Sequence, residues 1–406
     1  MRRNSMNDYK QKRSFNDPKL NIKIARGGML SSSSTPTAIL CGSAVICSLI
    51  SPALVLQSRL TELISLLVCA ICAFCTVICV KRFLALTALA VLASFIVSLT
   101  GSTVTLASII GPIFSIAFIS ATTSRKNHSA IIPTIMIPLI SYALSLAITR
   151  DFILAFASLY TLPTALALGI MNRRESSKSS AVLTGTIAFS ATTVALLAAI
   201  IYLTYGSLTP DTVKIASNDL AYTISYYCEI AIDAAGNVMT TEINQIISSS
   251  TDTFINMLPG AVVASAYIIS YICQSISVTL SERMGYEAPK DNYITADIYT
   301  AIVFAVAYLV SFESDASGGT SLAAVVGSNI SLMLTPCLFI VGLRSLKLMP
   351  YKLGIIGILF SMGTIILIFV SSSSAFTVFA IAGAAYTAIN SVDAWAKQHY
   401  SKGENK

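Results

Sequence analysis

The chain has 406 residues, 55% of them apolar or aromatic and only 11% charged, against about 25% charged in an ordinary soluble domain. At a mean hydropathy of +0.76 there is more apolar surface than one water-facing core can hide, which excludes a soluble enzyme and makes the bilayer the solvent. The net charge of +7 is spread over the ends of apolar segments, which fits insertion and anionic lipid headgroups and argues against nucleic acid.

Residues 1–34 are polar and carry eight Lys or Arg against Asp8 and Asp17, the composition of a basic, disordered tail. From Thr35 onward the apolar segments are 35–56, 61–80, 83–99, 104–121, 129–148, 153–171 and 181–204, followed by 254–280, 296–312, 321–343, 353–370 and 375–393. Each approaches the roughly 20 residues of a membrane helix, so the expected fold is an all-α polytopic transmembrane bundle of about twelve spans. The organisation that follows is a basic tail over 1–34, a seven-segment membrane region over 35–204 and an acidic extracytoplasmic stretch over 205–253. A five-segment membrane region over 254–393 and a short tail over 394–406 complete it. With the first tail inside, alternation of loops leaves only Arg59, Arg150 and Lys214 of the 26 basic residues outside, so both termini are expected in the cytoplasm.

In the second segment Cys69, Cys72, Cys75 and Cys79 have the C-x2-C-x2-C-x3-C spacing of a ferredoxin cluster run. Val80 follows where ferredoxins have Pro, and an apolar helix cannot wrap four thiolates around one cluster. Close helix packing by small side chains is the expected role, with no cofactor or metal. Pro52, Pro112, Pro133, Pro138, Pro163, Pro259 and Pro336 fall inside segments, so broken helices are expected there. Pockets are expected at Leu258-Pro259-Gly260 and around Pro133 and Pro138, because irregular backbone at membrane depth survives where protein or a cavity covers it.

In the acidic stretch, apolar residues from Val213 to Ala231 recur at helical spacing, with Asp219, Glu229 and Asp233 together on the other side. An amphipathic interfacial or lid helix is expected, ended by Gly236-Asn237 and followed by a second amphipathic helix over Thr241 to Ile255 that leads into the next span. Glu229 and Asp233, one turn apart, are candidate contacts for a ligand or cation.

The groups deep in the later segments are neutral. Gln274 and Asn329 either hydrogen-bond a neighbouring helix or line a pocket for an uncharged ligand. Ionisable groups are nearly absent from mid-segment positions, which disfavours ordinary proton coupling, and Asp297 and Asp393 sit near segment ends. Trp395 is expected to anchor the last span at the interface. No nucleotide-binding or hydrolase signature occurs and the only histidines are His128 and His399, so no catalytic residue is assigned. ATP-driven work would require a separate ATPase polypeptide.

Two strings, LPTALALGIMNRRESSKSS from Leu162 to Ser180 and FINMLPGAVVASAYIISYICQSISVTLSERMGYEAP from Phe254 to Pro289, resemble the YybS-like family of bacterial polytopic membrane proteins. Members of that family look like relatives of the substrate-binding components of energy-coupling-factor vitamin transporters. The resemblance implies a cell-membrane protein that binds or transports a small solute, working with separate coupling and ATPase subunits, and it carries no functional residue across. The long basic tail and extra spans depart from the family pattern. The alternatives are a self-contained secondary transporter, against which the missing Gly-x-x-x-Asp-Arg loop counts, and a non-catalytic scaffold or regulator of cell-envelope processes.

Overall fold

The computed structural model describes residues 34–56, 59–79, 103–124, 131–219, 240–283, 293–317, 321–370 and 375–403. The basic tail up to Ser33, the segment 83–99, the Gly101-Ser102 turn and Gly236-Asn237 lie outside them, as do Glu229 and Asp233.

Among the described residues every regular element is helical. The helices are α1 (Ser34–Ser48), α2 (Ile50–Leu56), α3 (Arg59–Cys79), α4 (Thr103–Thr123), α5 (Ile131–Thr149), α6 (Leu162–Arg173) and α7 (Lys178–Tyr205). They continue as α8 (Thr240–Arg283), α9 (Ile298–Ser317), α10 (Leu322–Leu353), α11 (Ile355–Val370) and α12 (Ala375–Gly403). The chain divides into two compact units, one of Met1–Phe189 with Ile269–Asn292 and one of Ser190–Ile268 with Tyr293–Lys406.

In the first unit α4 packs against α1, α3 and α6. Its sequence is apolar on every side and rich in Ser, Thr and Ala, the pattern of a helix enclosed by others. A Cβ added at Gly111 would stand 2.9 Å from Ile50 Cγ2, and one at Gly169 only 2.5 Å from Thr123 Cβ, so glycine sets the approach of α2 and α6 to α4. Ile50, Val68, Ile116, Phe118 and Leu168 fill the core between these helices, with Cys47, Cys72 and Cys75 among them. The cysteine run therefore lies on a continuous helix, with Cys72 and Cys75 packed inward. Among the described residues no three of His, Cys, Asp and Glu come together to hold a metal.

In the second unit α10 packs against α9, α11 and α12 around Phe304, Leu338 and Ala380. Ser321 caps α10 by accepting from the Ala324 N–H at 3.2 Å, and Gly354, at φ 56°, ends it.

The structure corrects several sequence expectations. Helices α4, α5, α8 and α10 run without interruption through Pro112, Pro138, Pro259 and Pro336. The chain breaks instead just before Pro52, at the turn on Leu49, and before Pro163, where the expected span 153–171 divides into a turn at Phe152–Ala155, a 3₁₀ turn at Phe156–Leu159 and α6. A proline loses its own N–H and crowds the carbonyl four residues earlier, so damage falls upstream and is tolerated where that turn finds other partners. As expected, the second amphipathic helix leads into the following span, and the two form one helix of 44 residues. Helix α10 continues past Leu343 to Leu353, where buried Val341, Ser345 and Met349 keep one face packed, and α12 continues past Trp395 to Gly403.

By length and composition, five described helices can cross a membrane, at Leu106–Thr123, Ile132–Thr149, Lys178–Tyr205, Asn256–Glu282 and Leu322–Leu346. Shorter apolar helices occupy Ala38–Ala53, Leu60–Cys75, Ile298–Ser311 and Ile355–Thr364.

Candidate functional site

The neutral polar residues singled out by sequence fall in different places. In the second unit Asn329, on α10, reaches α8. Its Oδ1 accepts from the Gly260 N–H at 2.7 Å, and its Nδ2 donates to the Asn256 carbonyl at 2.8 Å. These are the donor and acceptor that a regular helical turn would pair with each other. The side chain of Asn329 thus bonds both groups directly beside Pro259, which is itself exposed. A Cβ on Gly260 would be 2.8 Å from Asn329 Oδ1, so the contact requires glycine. At Leu258-Pro259-Gly260 an amide from the neighbouring helix occupies the space.

In the first unit Gln274 is fully buried on the C-terminal half of α8. Its Nε2 donates to Oδ1 of Asn172 on α6, and Asn172 Nδ2 donates to Ser277 Oγ at 3.4 Å. Ser277 in turn donates to Ser120 on α4 at 3.0 Å, and one turn further Ser281 and Ser124 share a 3.2 Å hydrogen bond. The spacing 270, 274, 277, 281 puts Ser270, Gln274, Ser277 and Ser281 on one face of α8, and 164, 168, 172 puts Thr164, Leu168 and Asn172 on one face of α6. Gly185 of α7 closes the seam, since a Cβ there would lie 2.7 Å from Leu168 and 3.1 Å from Ser270 Oγ.

This seam is buried, uncharged and incompletely satisfied. Gln274 Oε1, Ser270 Oγ and Thr164 Oγ1 are buried and have no hydrogen-bond partner. A buried acceptor without a donor costs about 1–3 kcal/mol, so such groups call for a water, a ligand or a functional reason. The seam thus presents unpaired hydrogen-bonding oxygens and no charge.

A separate cavity of about 430 Å³ in the same unit lies beside Pro138 and is lined by Thr134, Tyr142, Phe156, Leu162 and Leu166, with further apolar side chains. Its place agrees with the pocket expected near Pro133 and Pro138, and Tyr142 and Phe156 pack at 5.1 Å across it.

Sequence reasoning missed Asn172, Ser120 and Ser277. Asn172 belongs to an Asn-Arg-Arg helix end that resembles an ordinary solvated terminus, and only its partner Gln274 carried a signal, as an amide deep in an apolar stretch.

Helices of this length and composition, packed through glycines and uncharged polar seams, define a polytopic α-helical membrane protein. Residues 91–385 match the family of predicted membrane proteins DUF2232; that is most of the chain, and the chain belongs to this family. No curated protein and no solved structure matches it.

Proposed function

We propose that the chain is a non-catalytic cell-membrane binder of a small uncharged solute, held by hydrogen bonds at the Gln274–Asn172 seam. The observation that carries the reading is the fully buried Gln274 Oε1, an acceptor with no partner beside an amide that is already engaged. A bound donor would satisfy this acceptor while leaving the bond from Gln274 Nε2 to Asn172 in place. The resemblance of Leu162–Ser180 and Phe254–Pro289 to YybS-like proteins supports the same reading. Through their likeness to substrate-binding components of energy-coupling-factor transporters, it extends the proposal to a separate coupling subunit and ATPases that would move the solute.

The topology proposed with it has about twelve spans and both termini in the cytoplasm, supported by the one-sided distribution of Lys and Arg.

The test is to purify the tagged full chain from its own membranes in gentle detergent and identify by mass spectrometry every protein and small molecule retained. A neutral solute carried by the wild type and lost in Gln274→Leu would support the binder, and co-purifying ATPases would support energy coupling. Recovery of the chain with no solute, or with a solute that Gln274→Leu retains equally, overturns the site. Envelope proteins in place of ATPases would make the chain a scaffold.

A further inference from the structure

The second unit contains a cavity of about 500 Å³ unrelated to the seam, within the usual size of a small-molecule site. Its origin is the crossing of α10 and α12. A Cβ at Gly342 would collide with the Phe379 carbonyl oxygen and one at Gly383 with that of Leu338, so the two backbones touch there. Beyond the crossing, toward the C-terminal ends of both helices, Arg344 of α10 and Tyr386, Asn390 and Asp393 of α12 line an open wedge, which Ile294 and Thr295 close from a third side.

Two opposite charges line this space. Arg344 is half-buried, its guanidinium carbon lies 4.0 Å from the centre of the Tyr293 ring, and it pairs with no carboxylate among the described residues. A guanidinium stacked on an aromatic face keeps its N–H edge available for an oxyanion, which it binds with two parallel hydrogen bonds. Asp393 supplies the complementary negative charge for an ammonium. Tyr293, exposed and stacked on Arg344, flanks the cavity as aromatic side chains do at headgroup level.

We propose that this cavity seats a zwitterionic group, its oxyanion on Arg344 and its ammonium on Asp393. This is the chemistry of a phosphoethanolamine headgroup. The exposed tyrosine beside the guanidinium, of the kind found at headgroup level, favours the lipid-borne form over a free phosphoethanolamine-like solute.

Native mass spectrometry of the full chain in detergent, titrated with phosphatidylethanolamine and phosphatidylglycerol of matched acyl chains, tests the proposal. The wild type should favour phosphatidylethanolamine by roughly tenfold, the value of one charge-assisted hydrogen bond. Arg344→Gln should weaken both lipids, Arg344→Lys should restore part of the loss, and Asp393→Asn should abolish the preference without weakening phosphatidylglycerol. A change of preference cannot come from unfolding, which would lower both. Equal retention of the two lipids by the wild type, or a preference that survives Asp393→Asn, overturns the site. Free phosphoethanolamine at millimolar concentration is the remaining probe: competition marks a soluble zwitterion as the occupant, and its absence marks the lipid, with the Arg344–Asp393 chemistry required in either case.

Discussion

Asn329 hydrogen-bonds both the Gly260 N–H and the Asn256 carbonyl, 69 residues from the glycine in sequence and directly beside Pro259. The contact braces the turn in which a proline lies inside a 44-residue helix. The turn that Pro259 disturbs is satisfied from outside by a side chain that both accepts and donates.

Asn329→Leu removes both partners and leaves the Gly260 N–H and the Asn256 carbonyl to find others, at about 1–3 kcal/mol for each group that fails. Asn329→Asp keeps the acceptor but turns a donor toward the carbonyl into a repelling oxygen. Both variants should lower the thermal unfolding midpoint in detergent. Gly260→Ala should do the same, because its Cβ meets Asn329 Oδ1 at 2.8 Å and the Asn329 backbone oxygen at 2.9 Å. Unchanged midpoints in all three would mean that α8 tolerates Pro259 without this clamp.

The glycine crossing of α10 and α12 gives a sharper contrast. Alanine at Gly342 or Gly383 must displace a backbone carbonyl rather than a flexible side chain, and should cost about 3 kcal/mol or more. Gly363 in α11 has nothing within 4 Å of an added Cβ, so Gly363→Ala should stabilise by about 0.5–1 kcal/mol through helix propensity alone. Thermal unfolding of the three variants side by side checks both signs.

What the sequence reveals follows a physical division. Helical class and membrane setting are properties of composition and segment length, and they are legible at once. Gln274 and Asn329 stand out because an amide is costly in an apolar stretch wherever it points. Their partners are not legible, since Asn172 lies 102 positions from Gln274 and looks like a helix terminus. Proline misleads for the same reason: Pro259 and Pro336 signal a break locally, while the outcome depends on tertiary partners. In sequence Arg344 is one of many inner-side basic residues, and only the Gly342–Gly383 crossing shows that it lines a cavity with Asp393.

The seam offers a coupling prediction. Asn172→Leu strips the Gln274 amide and the Ser277 hydroxyl of a partner and should cost about 1–3 kcal/mol. Gln274→Leu removes one orphaned acceptor but creates another on Asn172 Oδ1, so its net effect should be smaller. The double variant replaces both amides with apolar groups and should be more stable than Asn172→Leu alone. A double-mutant cycle on unfolding midpoints measures this, and strict additivity would show that the two amides do not act as a pair.

The last prediction concerns orientation. Helix α7 ends at Tyr205, Gly206 turns the chain at φ 74°, and residues 210–219 form a new helix that begins at Pro210. Thr209 caps it, its Oγ1 accepting from the Thr212 N–H at 3.3 Å, and Tyr205 donates to Asp219 at 2.5 Å, tying this short helix to the end of α7. The proposed alternation places this end outside. A reporter that is active only outside the cytoplasm, fused after Asn237, should therefore be active, and one fused after Lys402 should be silent. Activity in the reverse pair would invert the topology, and activity at both or neither would require an odd number of crossings to be gained or lost between the two points. That would remove the charge asymmetry that supports about twelve spans.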